Sequence, residues 1–245
     1  MGAIFLNIAD VTTGYDQKQV LNGISLKLTQ GMITGVFGHN GSGKSTLLKA
    51  VFGVIPTWSG KVTFDGHEIT NLPSHRLVAR GISLLPQGNS VFDDLTIQEN
   101  LQVWASAVCS TEPEGKRIDK AVNAVLENEI EDSIFTKRRQ DRAAVLSGGE
   151  KQLVALACAL TQQPKLILMD EPSLGLSPER ARKAMQLIWG LSRQMGISII
   201  LVEQQVNLAL EVCDDAYVLR MGQVLLHESA EEMRRGSRLR DAFLS

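Results

Sequence analysis

Between Gly38 and Ser45 the chain reads G-H-N-G-S-G-K-S, a pattern in which Gly38, Gly43, Lys44 and the hydroxyl of Ser45 stand at a spacing suited to phosphate chemistry. The glycines let the backbone curl so that the N–H groups of His39, Asn40, Gly41, Ser42 and their neighbours point into one concave nest. A helix starting near Ser45 adds the positive end of its dipole to the same spot. A polyphosphate fits there. Lys44 reaches the β- and γ-phosphates as a point charge, the Ser45 hydroxyl ligates Mg²⁺, and Thr46 offers a donor near the α-phosphate. The bland alternative is a glycine-rich turn before a helix, but a chance match in a chain of this length is on the order of one percent. A nucleoside triphosphate with Mg²⁺ is the expected ligand.

Other residues could complete such a site. The run Leu166 to Glu171, LILMDE, is an apolar strand that delivers Asp170 and Glu171 side by side. Asp170 would bind Mg²⁺, and Glu171 would orient and deprotonate an attacking water. Paired acids at a strand end can also be plain surface. Gln87 closes a short strand at ISLLPQ; it is either a solvated terminus or a ligand reaching Mg²⁺ or the water from a parallel strand end. In Leu146-Ser147-Gly148-Gly149-Glu150, S-x-x-E is a capping box, with Ser147 as N-cap and Glu150 as reciprocating acid. Two glycines in a first turn cost about 1 kcal/mol each against alanine, so close approach of something to this backbone is the competing explanation. Exposed N–H groups at a helix N-terminus would form a second anion site. Tyr15, in a turn between two strands, either covers an apolar edge or stacks on adenine.

The elements that must hold these residues are legible from periodicity. Ile4 to Thr12 and Ile24 to Leu28 alternate as half-buried strands, and Lys61 to Phe64 with the Asp65-Gly66 turn reads as a hairpin, so an N-terminal antiparallel β layer is expected. From Thr96 to about Gln162 apolar spacing turns helical in Thr96–Val108 and Lys116–Leu126, joined by a charged connection from Glu127 to Arg142. After that, LILM and ISIILV return as continuous apolar strands separated by a helix over about 179–195. Beyond Val206 come a short helix, the hairpin AYVLR-MG-QVLLH and two short helical stretches. The fold class is therefore α/β: a phosphate-loop NTPase core of mostly parallel sheet with helices on both faces, an N-terminal antiparallel layer and an inserted helical subdomain. The expected division is a single domain over 1–245, with 1–87 and 163–245 forming the β layer and core and 88–162 the helical subdomain.

Composition agrees. With 245 residues and 44% apolar content the chain can bury a full core, yet has no room for two complete ATPase domains. A formal net charge of −2 supplies no global basic field for nucleic acid or anionic lipid. Three cysteines, Cys109, Cys158 and Cys213, are scattered without C-x-x-C spacing, which argues against disulfides or zinc and for a reducing compartment. The N-terminus reads as a strand rather than a signal peptide, and the longest apolar run is too short to cross hydrocarbon.

Taken together, GHNGSGKS, LLPQ, LSGGEKQ and LILMDEP, in that order, resemble the ATP-binding subunits of ATP-binding-cassette (ABC) transporters over the whole chain. The resemblance implies that Tyr15 stacks on adenine, that Gln87 senses Mg²⁺ and touches a membrane partner, and that Ser147 to Glu150 is the signature turn. It further implies that Ser173 to Ser177 contacts a second, homologous or identical cassette in a head-to-tail dimer, and that transmembrane permease subunits dock the pair. DEPSLGLSP, VEQQ, GNSVFDDLTIQENL and the tail RDAFLS are similar to the smaller ATPase of branched-chain amino acid, urea and amide importers. That implies uptake aided by an extracytoplasmic solute-binding protein, at the cytoplasmic face of the inner membrane. Gln204 stands where most cassettes place a histidine on the γ-phosphate; it can donate a hydrogen bond but cannot become cationic. Cys158 stands where many relatives carry an arginine. Other classes fit less well: a kinase has no use for LSGGE, and a chromosome ATPase needs a long coiled coil. A soluble assembly ATPase or an exporter's ATPase is the alternative. The loop after Gln87, with Val91, Phe92 and Leu95 among polar residues, would suit a partner's helix, Phe92 being its anchor; core packing is the competing reading.

Overall fold

The computed structural model describes residues 3–88, 90–108, 110–126, 133–236 and 238–239. Asn89, Cys109, the start of the charged connection and the tail RDAFLS lie outside the described residues. In chain order, β1 (Ile4–Tyr15) and β2 (Lys18–Thr29) precede β3 (Ile33–Phe37) and α1 (Lys44–Val51). Next come β4 (Ser59–Phe64), β5 (His67–Glu68), α2 (Ser74–Ala79) and β6 (Ile82–Leu85). The helical part holds α3 (Ile97–Ser106), α4 (Glu114–Leu126), α5 (Ser133–Lys137), a 3₁₀ turn at Ala143–Val145 and α6 (Gly148–Thr161). β7 (Leu166–Asp170), α7 (Pro178–Met195), β8 (Ser198–Val202) and α8 (Val206–Leu210) follow, then β9 (Asp215–Arg220), β10 (Gln223–Ser229) and α9 (Ala230–Arg235).

These strands form two sheets. The first, ordered β2-β1-β4-β5, is antiparallel throughout; the second, ordered β10-β9-β3-β8-β7-β6, is parallel except for β10. The parallel strands are buried on both faces, which is why they read as unbroken apolar runs. Their period of two sorts the side chains between two cores. Ile33, Phe37, Ile167, Met169, Ile199 and Leu201 point into the core shared with the helical part. Val36, Leu166, Leu168, Ile200 and Val202 point into the core shared with α1 and the antiparallel sheet. Each fully buried Leu or Ile contributes roughly 1.5–3 kcal/mol, so this double coverage fixes the strand ends where the chemistry sits.

Two local expectations are corrected and one element is added. Tyr15 is the last residue of β1, not a turn residue; the turn itself is Asp16-Gln17, with Asp16 at φ 52°. The charged connection contains a helix, α5, because Ile134 and Phe135 bury in the core and outweigh the surrounding charge. α2 carries only one buried residue, Leu77, too weak a pattern to be read as a helix. The helical part otherwise follows its periodicity, with α3, α4 and α6 packed on one another. Capping boxes start α3 at Thr96 and α6 at Ser147.

Candidate active site

The loop from Gly38 to Gly43 joins the buried end of β3 to α1. Gly38 takes φ 148° and Gly43 φ 105°, and a Cβ at Gly38 would lie 2.3 Å from the Leu219 carbonyl oxygen. A Cβ at Gly43 would lie 2.6 Å from Leu21 Cδ2, so glycine is required at both positions by backbone angle and by space. His39, Asn40 and Gly41 are exposed at the lip, while Ser42, Lys44 and Thr46 are buried. Lys44 Nζ donates to the carbonyl oxygens of Gly38 (2.8 Å) and His39 (3.1 Å), folding the side chain back over the loop. Burial lowers its pKa from the ordinary lysine value, against the pull of Glu171 and Asp170. Ser42 Oγ is buried without a hydrogen-bond partner among the described residues. An orphan hydroxyl, a retracted ammonium and a loop whose backbone only glycine allows at Gly38 and Gly43 fit a phosphate chain.

The parallel register brings the acids to this loop. β7 lies beside β8 with Asp170 opposite Val202, and the Glu171 N–H donates to the Val202 carbonyl over 2.9 Å. Ser45 Oγ donates to Asp170 Oδ1 at 3.1 Å. Burial raises the Asp170 pKa above the usual aspartate value, opposed by the Ser45 hydrogen bond and reinforced by the neighbouring Glu171. A hydroxyl and a buried carboxylate in contact form the hard oxygen set that Mg²⁺ takes. Glu171 sits at φ 53°, a left-handed conformation that costs a non-glycine residue roughly 1–2 kcal/mol. Its carboxylate is held on both sides: Gln87 Nε2 donates to Oε2 and Gln204 Nε2 to Oε1, each at 2.7 Å. Two donors occupy half of the roughly four acceptor positions a carboxylate offers, which leaves room for a water.

Tyr15 is 42% exposed, and Lys49 Nζ lies 5.9 Å from its ring centroid, so α1 carries a cation to one face of the ring. Ser147 and Glu150 bond each other across the first turn of α6 and each also takes an arginine from outside that helix. Glu150 Oε2 accepts from the Ser147 N–H at 2.7 Å and Oε1 from Arg138 Nη1 at 2.6 Å. Burial alone would raise the Glu150 pKa, but the Ser147 hydrogen bonds and the charges of Arg138 and Arg180 hold it below the usual value. Arg180 Nη1 donates to Ser147 Oγ at 3.1 Å, and a Cβ at Gly149 would lie 3.1 Å from the same guanidinium. Thus Gly149 makes room for Arg180, whereas a Cβ at Gly148 would meet nothing.

Reading the sequence missed Arg138, Arg180 and above all Glu203, a carboxylate only 2% exposed at the end of β8. The signal was there: an acid follows ISIILV as Asp170 ends LILM. Cys158 is fully buried on α6, where burial pushes its thiol pKa up, so this position holds a small packing residue and not a reactive thiol.

Residues 21–174 match the family model described as ABC transporter. The chain belongs to the ABC transporter family. Within it, a 40% identical relative from Archaeoglobus fulgidus, named as a probable branched-chain amino acid transport ATP-binding protein, LivF, is covered over 93% of both chains. The high-affinity branched-chain amino acid transport ATP-binding protein BraG of Pseudomonas aeruginosa is 36% identical over 98% of this chain and 99% of its own. The lipopolysaccharide export system ATP-binding protein LptB of Haemophilus influenzae is 31% identical over 98% and 96%. Among solved structures, the ADP conformation of an ATP-binding cassette of an ABC transporter superposes with a TM-score of 0.84 at 25% identity, covering 99% of each chain. This ABC chain is accordingly an ATP-binding ATPase, and no helix among its described residues is long and apolar enough to cross a membrane.

Proposed function

We propose that this ABC ATPase powers the uptake of branched-chain amino acids or a related small polar solute, as a peripheral subunit on the cytoplasmic face of the inner membrane. Permease subunits would carry the solute, a second cassette would pair with this one head to tail, and an extracytoplasmic binding protein would deliver the solute. The observation that carries the catalytic half is the Glu171 carboxylate, fixed by Gln87 and Gln204 beside the Asp170–Ser45 contact. The two relatives named for branched-chain amino acid transport support the solute class over the more distant export relative.

The residues divide the work. Tyr15 offers its ring to the base, and the backbone from Gly38 to Thr46 with Lys44 binds the phosphates. Ser45, Asp170 and Gln87 would hold Mg²⁺, which supplies positive charge to the phosphate oxygens. Glu171 takes the proton of the water that attacks the γ-phosphorus, and ADP leaves with the bridging oxygen. Gln204 aims Glu171 and supplies a neutral donor near the γ-phosphate. Ser147 to Glu150 presents N–H groups and a hydroxyl to the nucleotide of the paired subunit.

Phe92 supports the permease contact. It is 52% exposed, while its backbone is clamped on both sides by the buried Asn100 side chain, which accepts from the Phe92 N–H (2.7 Å) and donates to its carbonyl (3.0 Å). The ring borders an apolar groove with Phe52, Val78, Leu84 and Trp104. The test has two arms. Glu171→Gln should keep ATP binding, stop turnover and accumulate an ATP-bound dimer on size exclusion; hydrolysis at the wild-type rate would sink the base assignment. Reconstitution with the co-purifying permease should give ATP-dependent leucine uptake into vesicles, and outward lipid movement instead would favour the exporter reading.

A further inference from the structure

We infer that Glu203 is a positioning residue for hydrolysis, a double acceptor that ties the loop after Glu171 to the backbone of Gln204. The inference rests on the reading of Glu171 and Gln204 given above. Glu203 Oε1 accepts the Ser173 N–H at 2.8 Å and Oε2 accepts the Gln204 N–H at 3.1 Å. Ser173 is itself 1% exposed, and its hydroxyl accepts from Gln205 Nε2 at 3.4 Å, so the two segments are laced together at three points. The Gln204 amide then reaches Glu171 Oε1. One buried side chain thereby sets the distance between the strand end that carries the base and the one that carries its partner.

The chemistry explains why an acid stands here. Every group hydrogen-bonded to Glu203 donates: the Ser173 and Gln204 N–H groups take one oxygen each, the Ser173 hydroxyl and the Gln205 backbone add to them, and only a carboxylate offers acceptors on both sides at once. An amide would satisfy one donor and set its own NH₂ against the other. The acid carries a desolvation cost: burial raises the Glu203 pKa, while hydrogen bonds from Ser173, Gln204 and Gln205 oppose the rise. A buried charge held by neutral donors, with no cation beside it among the causes of its shift, is a costly solution to a packing problem, and an apolar residue would serve packing better. Holding two strand-end loops in register gives it a purpose. Ser173 opens the segment 173–177, so displacement of that loop would pass through Glu203 to Gln204 without touching the phosphate loop.

Glu203→Gln is the decisive variant, studied in the full-length chain beside Gln204→Ala and the double variant. The expected result is a fall in kcat of about ten-fold or more with KM for ATP within about two-fold, since the phosphate loop is untouched. On a Gln204→Ala background the same change should cost less than two-fold, because the residue it acts through is gone. Amide hydrogen exchange supplies a readout independent of turnover: the Ser173 and Gln204 N–H groups should lose protection while β7 and β8 keep theirs. Wild-type kcat in Glu203→Gln, full additivity with Gln204→Ala, or protection lost equally across both strands would each overturn the inference. Failure of the underlying reading is distinguished separately, since Glu171→Gln would then remain active whatever Glu203 does.

Discussion

The Gln204 side-chain amide donates to Glu171 Oε1 across 2.7 Å, bridging the ends of two adjacent parallel strands. The pairing of Asp170 with Val202 puts the two residues within reach, and the Glu171 N–H bonded to Val202 locks the strand ends together. A histidine at this place would bring a titratable donor; the glutamine brings one that is neutral at every pH of interest. Gln204→Ala should therefore lower kcat about 10²-fold by removing one donor from the reacting region. Gln204→His should retain much of the activity and acquire a pH dependence near neutrality. Steady-state ATPase rates over pH 5.5–8.5 test both, and full activity in the alanine variant would make the residue a bystander.

Lys44 and Tyr15 should separate phosphate binding from base binding. Lys44→Ala should abolish ATP binding, because the only buried cation of the loop is removed from the phosphates. Tyr15→Ala should raise KM for ATP by roughly ten-fold, as loss of a stacking contact worth about 1–1.5 kcal/mol requires, and leave kcat near wild type. Titration with a fluorescent ATP analogue reads the first and initial rates the second. A kcat loss in Tyr15→Ala with unchanged KM would contradict the stacking role.

Phe92 and Asn100 should part company on mutation. Phe92→Asp places a charge on an exposed side chain, so the isolated subunit should melt within about 0.5 kcal/mol of wild type and still hydrolyse ATP, while failing to co-purify with its permease. Asn100→Ala strips a fully buried amide from the backbone groups of Phe92 and Thr96 and should destabilise by roughly 1–3 kcal/mol. Thermal melts and pull-downs on the same preparations decide; a strongly destabilised Phe92→Asp subunit would return Phe92 to the core.

Asp170 carries a pH signature. Its folded pKa lies above the unfolded aspartate value, chiefly through burial, so the native state binds the extra proton between those two values. Stability from this group is full below the unfolded pKa of about 3.9 and is lost as pH rises through the folded value. At neutral pH the ionised Asp170 is thus a net cost, and Asp170→Asn should raise the melting temperature of the nucleotide-free subunit while removing Mg²⁺-dependent turnover. The gain should shrink as the pH approaches 4. A lower melting temperature for Asp170→Asn at pH 7 would refute the sign.

What the sequence determined by itself is what contiguous residues can encode. Gly38 to Ser45 carries backbone freedom, donor and hydroxyl within eight positions, so its reading as a phosphate loop needs no distant residue, and LILMDE reads as a buried strand ending in acids because its apolar run is unbroken. Ser147 and Glu150 form the capping box their spacing announces, and the parallel strands announce themselves by being apolar on both faces. The tertiary structure decided what depends on register between distant segments. Glu171 meets Gln204 and Gln87 because β7 lies between β8 and β6, a neighbour order no single segment carries. The same order turns Glu203 from an acid after a strand into a clasp between two loops, and brings Arg180 of α7 to Ser147. Phe92 faces outward because Asn100 holds its backbone, a choice between core and surface that the apolar side chain alone could not make. Local motifs specify which atoms can react; the pairing of strands specifies which of them meet.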